Sequence, residues 1–339
     1  MRRRGAPVRA TLAAAAAAAL LGVTACQHAP VRTPMVPLLY DLDHDPAAGI
    51  ADVSAADGAV LSAGDLRLAV EALFEWHGIS LTWAMRATAT TGPGLDGWVA
   101  QLGANADDLT HAIGLVYGPV GARAFHQQWA QHAQFLIDYA AARGRGDAAA
   151  AAEAEDALAA YERDAGLFLA QATGGRVPAA TAEGLLRDHV RRMLAQVDTA
   201  LAGDTAGATD VVLEDHGYLT AVADALAGAF AAQNPARFPG DAHSSLAEYC
   251  SIGQRAVGVY ALAALDGIAG GTPSPRTAAL AAAATAAVGP GASTLGIGTT
   301  FTAPWRVAAS SSPDALATEV KRRLAEADAA VVTLAGERR

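Results

Sequence analysis

Cysteine is nearly absent from this chain. Cys26 and Cys250 are the only two, so no disulfide framework can brace the fold, and Cys250 reads as a small buried residue in a helix. Aromatics are scarce too, at 6% of residues, and alanine supplies much of the 52% hydrophobic content. With little β-branched patterning, that composition favours helices. Lysine occurs once, at Lys321. HExxH, Cys-x-x-Cys-His, the P-loop and Gly-x-Ser-x-Gly are all missing, as are paired carboxylates in a glycosidase-like setting, so no enzyme reading finds support. The longest apolar run near the start, Thr11 to Leu21, is too short to span a bilayer.

That run has a different meaning. It follows the basic Met1-Arg2-Arg3-Arg4 and ends in Val23-Thr24-Ala25-Cys26, the layout of a signal peptide with small residues before its cleavage point. A cysteine directly after them resembles the lipobox of bacterial lipoproteins. The resemblance implies cleavage before Cys26, acylation of its sulfur and retention at the extracytoplasmic face of the membrane. Loss of residues 1–25 removes Arg2, Arg3, Arg4 and Arg9 and lowers the formal net charge from −10 to −14. Such an acidic chain is unsuited to nucleic acid or to direct adhesion on anionic lipid.

Residues 26–61 carry Pro30, Pro34, Pro37 and Pro46 and scattered aspartates, as expected of a tether. From 62 to 240 a 3.6-residue period predicts six helices, near 65–90, 95–117, 119–143, 148–172, 178–203 and 206–233. The breaks between them contain Gly92-Pro93, Gly118-Pro119, Gly146-Asp147, Gly174-Gly175, Gly203-Asp204 and Asn234-Pro235. Short connections predict antiparallel neighbours. Glu71 to His77 aligns weakly with Glu183 to His189, which suggests that a helical hairpin at 65–118 is duplicated at 182–235. Residues 241–339 form a smaller helical region, with helices expected at 244–269, 275–287 and 313–335 and no recognisable chemistry.

The nine histidines sort by helical face. His77 falls on the stripe Leu66, Val70, Leu73, Leu81; His132 on Phe125, Trp129, Leu136, Tyr139; His189 on Ala182, Leu186, Met193, Val197; and His216 on Val212, Leu219, Ala223, Leu226. Steps of three or four residues put all four in apolar, core-facing stripes. His111 lies off its stripe, His126 shares a face with Ala122 and Ala130, and His28, His44 and His243 fall in tether or loop. Neutral imidazoles aimed into one bundle are costly unless paired, and a shared metal ion would satisfy several at once. Met193, one turn from His189, adds a thioether that suits copper, cuprous above all; zinc and haem are the alternatives. The pattern leaves open whether the four converge or pair as His77–His132 and His189–His216. Core-facing carboxylates, which a di-iron site would need as Glu-x-x-His, are not expected, since Glu75 and Asp188 merely adjoin their histidines without that spacing.

Residues 71–240 resemble a family of secreted or lipid-anchored helical proteins of Gram-positive bacteria. The likeness rests on Trp76-His77, Ala112-Ile113 with Val116-Tyr117-Gly118, Phe125 with Trp129 and His132, Phe135 with Asp138-Tyr139, the Leu-x-x-His at 186–189, and the Gln233 to Phe238 stop. Some relatives carry a copper-amine-oxidase label that comes from an attached domain this chain does not have. Where relatives often show Ala-His-Met, this chain has Asp215-His216-Gly217. The expectation is therefore an all-α antiparallel bundle built from a duplicated hairpin, with a smaller helical C-terminal region. The protein is expected to be a lipid-anchored binding protein that holds a metal ion, copper before zinc, or a haem through His77, His132, His189 and His216, with Met193 beside them. The other reading is a structural or partner-binding lipoprotein whose histidines are only core polar groups.

Overall fold

A computed structural model describes residues 62–244, apart from Pro93, and a few residues between 247 and 262. Every regular element among them is an α-helix: α1 (Ala63–Thr90), α2 (Leu95–Arg145), α3 (Ala148–Ala172), α4 (Ala179–Leu201) and α5 (Thr205–Gln233). The fold is all-α, and the arrangement is compatible with the antiparallel bundle expected. The signal peptide, Cys26, the tether, Cys250 and the helices expected at 275–287 and 313–335 lie outside the described residues. Of the stretch expected to be helical at 244–269, Ala247, Glu248, Ser251, Arg255, Gly258, Val259 and Leu262 are helical.

Local chemistry sets the helix ends. Ser62 and Asp65 form a capping box: the Asp65 amide donates to Ser62 Oγ at 3.1 Å, and the Ser62 amide donates to Asp65 Oδ2 at 2.8 Å. Two of the donors that every helix start leaves unpaired are thereby satisfied. Asp147 and Asp204 cap α3 and α5 with one bond each, their side chains accepting from the Ala150 and Gly207 amides. Pro178 stands at the N-cap of α4, just before the first turn where the sequence placed it. The second and third expected helices run on as one element, α2, yet the break between them is real. Gly118 adopts φ 73° and ψ −177° in front of Pro119, a left-handed φ open to glycine at little cost. Proline cannot donate to the preceding turn. Thus α2 is two helices joined at a kink.

The helices close into a ring. Each packs on its sequence neighbour, and α5 returns to pack on α1, with α4 also reaching α1 and α2 across the middle. One continuous apolar core fills the interior. At the far end α1 and α2 meet backbone to backbone. A Cβ on Gly144 would come within 2.1 Å of the Ala89 carbonyl oxygen, so glycine there permits the approach. At the opposite end, Arg67 of α1 is paired with Glu71 at 2.9 Å, Asp224 of α5 at 2.8 Å and Glu248 at 2.7 Å. His243 joins the group, with its Nδ1 2.8 Å from Glu248 Oε1. The region beyond residue 240 therefore supplies charged partners to the bundle, which its sequence did not suggest.

Candidate metal centre

Three of the four expected histidines come together. His77 on α1, His132 on the second half of α2 and His189 on α4 are buried, at 0%, 2% and 5% exposure. One nitrogen from each lies within 4.8 Å of the others. The rings of His77 and His132 have centroids 5.1 Å apart, and His189 sits 5.8 Å and 6.4 Å from the two. His77 and His132 face each other through their Nε2 atoms at 3.2 Å.

Hydrogen bonds at the far side of two rings decide which nitrogens carry protons. His132 Nδ1 lies 2.6 Å from the Trp129 carbonyl oxygen. His189 Nδ1 lies 2.9 Å and 3.1 Å from the two carboxylate oxygens of Asp215. A carbonyl and a carboxylate only accept, so both Nδ1 atoms donate, and Nε2 is the nitrogen of each ring left to face the cluster. His189 Nε2 is buried and has no hydrogen-bond partner. This is the outer-shell pattern that orients metal-ligating imidazoles, a carboxylate or carbonyl fixing the tautomer from behind. On His77 the counterpart is incomplete. Its Nδ1 and Asn105 Oδ1 are both buried without a well-formed hydrogen bond, although the Asn105 side chain is close enough to favour a proton on His77. Asn105 is itself held by donation from Nδ2 to the Leu73 carbonyl at 2.9 Å. A small ring movement would close Nδ1–H···Oδ1 and turn the third lone pair inward.

The cluster sits in a desolvated, aromatic shell. Trp129 lies against both His77 and His132, with centroids 4.6 Å and 4.5 Å away, and Tyr161 of α3 stacks on His132 at 5.3 Å. Burial disfavours the imidazolium, and the neighbouring imidazoles reinforce this. The pKa of His77 is held well below the ordinary value of 6.5, and that of His132 falls to about 3. Both are neutral, lone-pair-bearing groups through the physiological range, the state a cation requires.

His216 does not join the three. It is buried, but its Nε2 is 3.4 Å from the Arg255 carbonyl oxygen, and its ring lies so close to Gly258 that a Cβ there would collide with it. Its neighbour Asp215 reaches the site instead, so His189 pairs with a carboxylate and not with His216. Met193 is buried at 0% exposure, and its sulfur is 3.9 Å from the Thr82 hydroxyl. His216 is not among the three residues whose ligand atoms cluster.

The expectation that carboxylates would avoid the core was wrong. Glu71, Glu75 and Asp215 are 0%, 2% and 1% exposed. Asp215 has a use beside His189. Glu75 accepts from the Thr220 hydroxyl at 3.1 Å, and burial pushes its pKa up to about 8, so it is largely protonated at neutral pH and avoids a buried charge. The signal for Asp215 was present in the sequence: Val212, Asp215, Leu219, Val222 and Leu226 form a stripe as regular as the one that carries His216. His126, expected on an alanine face, is also buried, against the Thr110 hydroxyl at 3.1 Å.

Set beside models of protein families, curated proteins and solved structures, the chain matches none. The site must be read from its own geometry.

Proposed function

We propose that His77, His132 and His189 together hold one metal ion, copper before zinc, in an extracytoplasmic binding protein anchored to the membrane through lipid at Cys26. The observation that carries the metal reading is the meeting of three buried imidazoles from three helices, two of them held at Nδ1 by a carbonyl or carboxylate behind the ring. Metal–imidazole bonds of about 2.0–2.1 Å at a tetrahedral angle separate two ligand nitrogens by roughly 3.3 Å. The 3.2 Å between the Nε2 atoms of His77 and His132 fits that arrangement. A linear cuprous pair would need about 4 Å. Copper stands above zinc because neutral imidazole suits both and binds divalent copper more tightly. Haem is disfavoured: the chamber that borders the cluster measures ≈ 50 Å³, far too small for the macrocycle. Three protein ligands leave a coordination position for water or a further ligand.

The direct test is elemental analysis of the protein purified without a polyhistidine tag, with stoichiometric metal expected and metal-free protein that takes up none as the contrary result. A second test aims at Asp215. Asp215→Asn keeps the shape but removes the charge behind His189, and outer-shell losses of this kind weaken metal affinity 10–100-fold. Competition with a chelator of known strength measures it, and an unchanged affinity would take Asp215 out of the site.

The anchor is tested separately. Cys26→Ser should release the protein from the membrane fraction or leave it as uncleaved precursor, visible by fractionation and mass spectrometry. A correctly cleaved Cys26→Ser protein that stays in the membrane fraction would refute lipid attachment. No described helix is long and apolar enough to cross a membrane, so the described bundle offers no helical span to hold such a variant there.

A further inference from the structure

Beside the histidines lies a chamber of ≈ 50 Å³ lined by residues of α1, α2, α3, α4 and α5. Its walls include Phe74, Leu109, Phe168, Ala182, Leu226 and Phe230, all buried. Among the lining residues only Gln128, Tyr161 and Trp129 carry polar side-chain atoms, the last a buried indole N–H without a hydrogen-bond partner. A water molecule needs two to four polar partners to occupy a cavity, and apolar cavities of this kind stay dry and take up apolar solutes instead. A second chamber of ≈ 100 Å³ adjoins it and shares the lining residues Ile113, Phe125, Phe168, Leu169 and Phe230. That outer chamber ends at Gln171, which is exposed, and at Tyr117 and Gln233, where the tyrosine hydroxyl donates to Gln233 Oε1 at 2.8 Å.

The inner chamber shares two walls with the histidine cluster. Trp129 and Tyr161 line it, and the same rings lie against His77 and His132. We infer that the inner chamber is a binding site for a small uncharged apolar molecule of two or three heavy atoms, of the size class of dioxygen, seated against the far faces of the rings that pack on the histidines. Size selects the occupant: ≈ 50 Å³ is a third of the cavity that accepts benzene. Chemistry selects it as well, because a charged or strongly hydrogen-bonding solute would find only one amide, one phenol and one indole N–H to replace its water.

Xenon is the probe, applied to metal-free protein so that this inference and the metal reading fail independently. Crystals of the unmodified chain under xenon pressure should show one strong anomalous peak between Trp129 and Leu226, and 129Xe resonance in solution should report saturable binding. Ala182→Leu, which fills the chamber from α4, should remove the peak and weaken binding at least tenfold, while copper or zinc uptake stays intact. Ordered water in the chamber of the unmodified protein with no xenon peak overturns the inference, whether or not the Ala182→Leu protein folds. A peak confined to the outer chamber overturns it too.

Discussion

Adding copper or zinc to the metal-free protein should raise its melting temperature by about 10 °C, and His132→Ala combined with His189→Ala should abolish the rise. A ligand bound only by the native state adds RT ln(1 + [L]/Kd), about 4 kcal/mol at a thousandfold excess over Kd. For a domain of 150–250 residues each kcal/mol moves the midpoint by about 2–4 °C. A histidine that serves only as a core polar group behaves differently. Its replacement leaves a buried partner unpaired, here Asp215 or the Trp129 carbonyl, and costs about 1–3 kcal/mol whether metal is present or not. The double variant should therefore melt lower than the parent without metal and gain nothing from metal. Identical melting curves for the unmodified protein with and without Cu(I), Cu(II) and Zn(II) would leave the histidines as structural groups.

Much of this site was legible from helical periodicity, and the part that was not has physical causes. His77, His132 and His189 each recur with apolar residues at steps of three and four, and burial follows from that face alone. The ends of the helices were equally readable, since Gly118-Pro119, Gly146-Asp147 and Gly203-Asp204 carry backbone and capping requirements in their own chemistry. Depth along the bundle was not readable. Periodicity fixes the angle of a side chain around its helix, whereas meeting at one level depends on loop lengths and on the kink in α2. The exchange of His216 for Asp215 arose from the position of α5. That helix packs on both α1 and α4, so two adjacent stripes are buried and a single hydrophobic face does not say which residue turns to the histidines. The buried glutamates were missed for a related reason: Glu71 and Glu75 lie on a side of α1 that looks polar in sequence and is covered by α5 and residues beyond 240.

The same burial governs the response to acid. An ordinary imidazole pKa near 6.5 would have protons displacing the metal near pH 5, with the fold intact. In the folded protein His132 titrates only at about 3 and His216 at about 4, and His77 is held well below 6.5. Depressed values mean that the unfolded chain binds more protons, so stability is complete above pH 6.5 and is lost as pH falls towards these folded values. Glu75 has the opposite sign: with its pKa raised to about 8, its contribution is complete below pH 4.5 and is lost as pH rises through 8. Near pH 5 three histidines take up protons on unfolding while one glutamate partly offsets them, a slope of roughly 3 kcal/mol per pH unit. Against a total stability of about 5–15 kcal/mol, the metal-free bundle should unfold between about pH 5 and pH 3. Metal should shift that transition to lower pH, and release of the ion should coincide with loss of helicity, because folded His77 and His132 resist protonation until the bundle opens. Circular dichroism and a metal-sensitive dye, followed together through an acid titration, decide the matter. His216→Gln should make the metal-free transition less steep without changing metal affinity at neutral pH. Release of the metal near pH 5 from a bundle that keeps its helicity would show that protons reach these rings in the folded state, and that the desolvated shell of Trp129 and Tyr161 does not seal the site.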